Sequence, residues 1–78
     1  MSDLGDATKV VLADTFTMLV KTLNFHWNVE GPDFPALHKM FNKIYDELWT
    51  SVDDIAEHIR ALDEYCPGSY KRFQELTT

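Results

Sequence analysis

Seventy-eight residues, 45% of them hydrophobic and 26% charged, describe one folded domain rather than a disordered chain. A chain this short buries only about 60% of the surface its unfolded form exposes, so a partner chain is expected. The formal net charge of −6, from 13 acidic and 7 scattered basic residues, disfavours phosphate-driven nucleic-acid binding; it suits cations, although a solvated acidic surface is the plainer reading.

Cys66 is the only cysteine, which excludes an intrachain disulfide and fits a reducing compartment. The opening MSDLGDATK has no charged start followed by an apolar run, and no apolar stretch approaches the roughly 18 residues of a membrane span. The expectation is a soluble, cytoplasmic protein with no membrane partner.

From Asp3 to Asn28, Leu12, Phe16, Leu19, Leu23 and Trp27 recur at intervals of three or four, the pattern of an amphipathic helix. His26 follows Leu23 by three and Leu19 by seven, so it belongs to the inner face, either as a hydrogen-bonded core residue or as a metal ligand. Gly31-Pro32 breaks the pattern, and Asp33 can cap a second helix that tolerates Pro35 in its first turn. The short loop makes the two helices antiparallel neighbours.

The second helix is predicted from Asp33 to Glu64, roughly 50 Å long at about 1.5 Å per residue. Phe34, Leu37, Phe41, Ile44, Leu48 and their successors to Leu62 step by three or four, and nothing interrupts them before Cys66-Pro67-Gly68. Beside that stripe runs a second row, His38, Asn42, Tyr45, Trp49, Asp53 and Arg60, with Glu57 one turn from Asp53. One hairpin cannot cover both rows, so a helix from another subunit is expected. Ser69 can cap a short third helix from Tyr70 to Leu76. The fold class is therefore all-α: a long antiparallel hairpin plus a short helix, pairing with a second chain.

An antiparallel hairpin brings His26 and His38 to a similar height, where they can share a metal. Asp53 lies 15 residues beyond His38, roughly 22 Å along the helix, too far for one ion. Asp53 and Glu57 are themselves an i,i+4 carboxylate pair on one face, suited to a hard or borderline cation; the alternative is a solvated face or a salt bridge to Arg60. If a second copy crosses antiparallel around Tyr45 to Trp49 on a two-fold axis, Asp53 and Glu57 of one chain meet His38 and His26 of the other, twice per dimer. Two histidines and two carboxylates without thiolate suit iron, zinc or manganese.

The spacing H-x11-H-x3-N-x10-D-x3-E, with HWNVEGPDF, ALHKMF, DDIAEHIRAL and PGSYKRF, resembles the Dps family of ferritin-like proteins over residues 8 to 76. The resemblance implies half of a four-helix bundle and a ferroxidase centre at a two-fold interface. There Fe(II) would be oxidised, preferably by hydrogen peroxide, and ferric mineral stored in a hollow twelve-subunit shell. His26 and His38 match the family's histidine ligands, Asp53 and Glu57 its aspartate and bridging glutamate, and Trp27 and Asn28 the segment after the first histidine. Asn42 stands where the family usually has a further carboxylate, and His58 where an arginine is common, an accessory ligand or a surface group. Two further bundle helices are implied beyond residue 78, so the 78 residues correspond to the N-terminal half, read here as one truncated hairpin domain. The basic tails that bind DNA in many members find no counterpart in MSDLGDATK. If active, the chain is an iron-oxidising oxidoreductase; the alternative is an interaction module that keeps the hairpin without a competent iron centre.

Overall fold

A computed structural model describes residues 3–32 and 34–78. Helix α1 spans Asp3–Asn28, α2 spans Phe34–Ala61 and α3 spans Tyr70–Leu76. The body measures 50 × 21 × 16 Å, the long axis being that of the hairpin. Helix α1 packs against both α2 and α3. Among the described residues there is no strand and no helix long and apolar enough to cross a membrane.

Both ends of α1 follow its macrodipole, with Asp3 and Asp6 in the first turn and His26 in the last. Leu12, Leu19 and Ile59 are almost wholly buried, and with Ala13 they make up the buried apolar core among the described residues. The inner row of α1 is therefore Gly5, Leu12, Leu19 and His26, at steps of seven. Phe16 and Leu23 of the expected stripe are half-buried, and Trp27 is 68% exposed. Trp27 lies past the edge of the α1–α2 contact, where a single hairpin has nothing to set against it. The same holds for α2, whose long stripe buries only Ile59.

The turn between α1 and α2 depends on Gly31, at φ 99°, whose carbonyl accepts from the Phe34 N–H at 3.1 Å. Asp33, expected to cap α2, lies outside the described residues.

Helix α2 ends at Ala61, three residues before the predicted Glu64. The Glu64 N–H donates to the Ile59 carbonyl at 3.4 Å and the Asp63 N–H to the Arg60 carbonyl at 3.0 Å. With Asp63 at φ 62° this is a Schellman closure, in which a left-handed residue terminates the helix and satisfies its last carbonyls. Aspartate tolerates that conformation better than most residues, so the helix stops without a glycine to announce it.

That closure swings Glu64 beneath the start of α1. Its carboxylate pairs with the Lys9 ammonium at 3.0 Å, with side chains only 7% (Lys9) and 12% (Glu64) exposed. The carboxylate also fills the space that a Cβ at residue 5 would take, so Gly5 permits the approach. Burial pushes the neighbouring Cys66 thiol above its ordinary pKa, against the opposing influence of Arg60 and Lys9. Arg60 makes no bridge to Asp53 or Glu57; it donates to the Glu64 carbonyl at 2.8 Å and lies over the Tyr65 ring at 5.0 Å.

Helix α3 begins as expected, the Ser69 hydroxyl accepting from the Arg72 N–H at 3.2 Å. Phe73 stacks on Phe16 with centroids 4.6 Å apart, and Tyr70 tilts against the same ring at 5.9 Å. At its far end the Asp14 carboxylate accepts from the Thr77 hydroxyl at 2.7 Å, the Thr78 N–H at 2.7 Å and the Thr78 hydroxyl at 2.9 Å. The Thr77 hydroxyl, then the Thr78 donors, hold the Asp14 carboxyl below its ordinary pKa. A depressed acid stabilises the docked state above the unfolded value of about 3.9, and that contribution is lost as pH falls through the folded value. Acidification below about pH 3.9 is expected to free residues 77–78 first. The check is the Thr78 amide resonance, which should titrate in the native chain and stay flat in Asp14→Asn.

Candidate metal centre

The last turn of α1 and the first turns of α2 place His26 beside His38, their rings stacked with centroids 3.8 Å apart and planes 23° from parallel. Phe34 extends the stack beyond His38 at 5.0 Å, and Tyr45 tilts against His26 at 5.9 Å. The two histidines are thus wedged between aromatic rings and cannot turn freely.

The hydrogen bonding of His38 identifies its tautomer. Its Nδ1 lies 2.9 Å from the His26 carbonyl, which can only accept, so Nδ1 carries a proton and in the neutral ring Nε2 is the nitrogen with the lone pair. This is the arrangement by which an outer hydrogen bond prepares a histidine for a metal. Both ring nitrogens of His26 are shut off from solvent and have no hydrogen-bond partner among the described residues. Buried nitrogens of this kind are rare in folded proteins. Because the lone pairs lie in the ring planes, stacked rings cannot clamp an ion between their faces. An ion must sit at their edges.

Asp53 and Glu57 are exposed on α2 and engage in no hydrogen bond or ion pair among the described residues. Helix α2 is continuous from His38 to Asp53, so the roughly 22 Å axial separation holds. Among the described residues no three His, Cys, Asp or Glu side chains gather closely enough to hold a metal. The structure brings the two histidines together and leaves the carboxylates apart. Asn42 and His58 are exposed; His58 lies beside Asp54 and Glu57 at the other end of the hairpin from the histidine pair, and Trp27 points outward next to His26.

Between the histidine end and the carboxylates runs an apolar groove of about 480 Å³ that includes Leu23, Trp27, Trp49 and Tyr70. Trp49 is 54% exposed. Two tryptophans and a tyrosine on one open face form the kind of patch that a macromolecular partner covers.

The sequence matches the ferritin family, described as a ferritin-like domain, over residues 6–78. It is 43% identical over 67 residues to an uncharacterized low temperature-induced protein of Nostoc sp., covering 86% of this chain and 37% of that protein. To the DNA protection during starvation protein 2 of Bacillus anthracis it is 37% identical, covering 86% of this chain and 46% of the relative. A crystal structure of a Dps protein from Vibrio cholerae, described as a member of a broad superfamily of ferritin-like diiron-carboxylate proteins, superposes with a TM-score of 0.94 at 29% identity. That match covers 96% of this chain and 47% of the solved one. The chain spans somewhat less than half the length of these relatives. It belongs to the ferritin-like family, and within that family it corresponds to the N-terminal half of the Dps proteins.

Proposed function

We propose that this chain binds Fe(II) and oxidises it at a site shared by two copies, His26 and His38 coming from one and Asp53 and Glu57 from the other. The observation that carries the reading is the His26–His38 pair: stacked, with one tautomer set by a carbonyl and two buried nitrogens lacking a partner. Those groups fit a borderline cation, and the free carboxylates of a second chain complete a donor set of imidazole and carboxylate suited to iron. The diiron-carboxylate description of the Vibrio cholerae relative supports iron over zinc or manganese.

In this reading iron is the substrate. Two Fe(II) ions give up one electron each, and peroxide, taking both electrons and two protons, leaves as water. The chain's part is to hold the ions edge-on to the imidazoles and to neutralise their charge with Asp53 and Glu57. The tryptophan-lined groove is the surface the second copy covers, so dimerisation completes the site. With a net charge of −6, we propose no nucleic-acid partner for this part of the chain, and we place its action in the cytoplasm.

The test is anaerobic Fe(II) titration followed by peroxide, read as ferric absorbance in the near ultraviolet. Native chain should give a rapid rise, and His26→Ala and Asp53→Ala should each remove it. A native chain no faster than those variants ends the enzymatic reading. Asn42, a neutral amide where the family pattern has a carboxylate, favours as second reading an interaction module without a competent centre. That reading requires that purified native protein retain no stoichiometric iron.

A further inference from the structure

The two histidines of the proposed Fe(II) site are held by different means. His38 is fixed through its own nitrogen, the Nδ1–H donating to the His26 carbonyl at 2.9 Å. His26 has no such tether, because neither of its ring nitrogens finds a hydrogen-bond partner among the described residues. A histidine ring turns broadly about its last side-chain torsion. Packing alone must therefore set the direction of the His26 lone pair.

The spacing on α2 supplies that packing. Phe34, His38 and Tyr45 stand at i, i+4 and i+11, close to whole turns of about 3.6 residues, so they share one face of the helix. His38 and Tyr45 are separated by roughly 10 Å of rise at about 1.5 Å per residue. The His26 ring reaches into that gap from α1, with its centroid 3.8 Å from that of His38 and 5.9 Å from that of Tyr45. His38 and Tyr45 are thus the two walls of a slot one ring wide. The Tyr45 ring meets His26 at 45°, a tilted contact of the kind aromatic pairs favour. Since the His26 nitrogens have no partner, Tyr45 makes this contact with its ring and not through a hydrogen bond from its hydroxyl.

We infer that Tyr45 is a positioning residue for Fe(II), the wall that keeps the His26 ring turned to present its nitrogen to the ion. The assignment rests on the shared iron site proposed above and adds to it a residue outside the donor set. A ligand already held in its binding orientation loses less freedom when the ion arrives, so Tyr45 acts on affinity and not on electron transfer. Phe34 stacks on the other side of His38 at 5.0 Å, but the carbonyl already fixes that ring. The two aromatic neighbours of the histidine pair therefore contribute unequally, Tyr45 more than Phe34.

Anaerobic Fe(II) titration without an oxidant reads the binding step alone, at a protein concentration where the variants have equal mass in solution. Tyr45→Leu should weaken Fe(II) binding by about tenfold, the scale of an outer-shell partner, whereas Tyr45→Phe should bind as the native chain does and Phe34→Leu should lose less than Tyr45→Leu. With Fe(II) saturating, Tyr45→Leu should recover the native rate of oxidation by peroxide. In the metal-free protein, the nuclear Overhauser contact between the His26 and His38 rings should persist in Tyr45→Phe and disappear in Tyr45→Leu, with helical circular dichroism unchanged in both. The assignment is overturned if Tyr45→Leu keeps that contact or binds Fe(II) as tightly as the native chain. It is equally overturned if Tyr45→Phe binds as weakly as Tyr45→Leu, which would place the effect in the hydroxyl. A native chain that takes up no Fe(II) ends the iron reading instead, and the ring contact, measured without metal, still reports whether Tyr45 holds His26.

Discussion

Glu64→Ala is expected to destabilise the protein by about 3 kcal/mol, the usual cost of removing one partner of a buried ion pair. Glu64 and Lys9 are close to fully buried, and the carboxylate is wedged against Gly5, so water has little room to replace it. The loss should appear in urea unfolding as a lower midpoint with little change in slope. Replacing both partners, Lys9→Met with Glu64→Leu, removes both charges and should recover most of the stability. If the single and double variants are equally destabilised, the damage comes from lost packing around Gly5 and not from breaking the ion pair. The pair joins the start of α1 to the segment after α2, 55 residues apart, and so closes the end of the hairpin opposite the histidines.

Removing ligands is expected to act on iron rather than on the fold. His26→Ala takes away two buried nitrogens that have no partner among the described residues, and the exposed side chains of Asp53 and Glu57 bond to none of them. None of the three side chains helps to hold the hairpin by hydrogen bonding among the described residues. Helix content should therefore persist while peroxide-driven iron oxidation falls by about 100-fold or more, at least the loss typical of an outer-shell partner.

Local signals located the C-terminal end of α1 and the start of α3, because Gly31-Pro32 and Ser69 act through backbone geometry and capping. Sequence periodicity overran α2 because the residue that stops the helix is Asp63 at positive φ, where a glycine would have been readable. The apolar stripe of α1 was legible as a stripe. Its division into a buried row at Leu12 and Leu19 and an open edge at Trp27 depends on how much of the neighbouring helix is present. The Lys9–Glu64 pair and the Asp14 clamp on Thr77 and Thr78 had no local signal, since each joins residues more than fifty positions apart. Gly5, a small residue in register with Leu12, Leu19 and His26, was the one hint that something approaches α1 closely there. For the candidate site, the pairing of His26 with His38 followed from hairpin geometry, whereas the stacking between Phe34 and Tyr45 and the tautomer of His38 required coordinates.

The central claim, that one chain supplies histidines and another carboxylates, is tested most directly by mixing two inactive proteins. One carries His26→Ala and His38→Ala; the other carries Asp53→Ala and Glu57→Ala. In a hybrid of the two, one site loses all four ligands and the other keeps all four. Random exchange makes about half the dimers hybrid, so refolding an equal mixture should restore about a quarter of the native rate of iron oxidation from two preparations that show none. A mixture as inactive as its parents, with hybrids demonstrated by mass, would contradict the shared site.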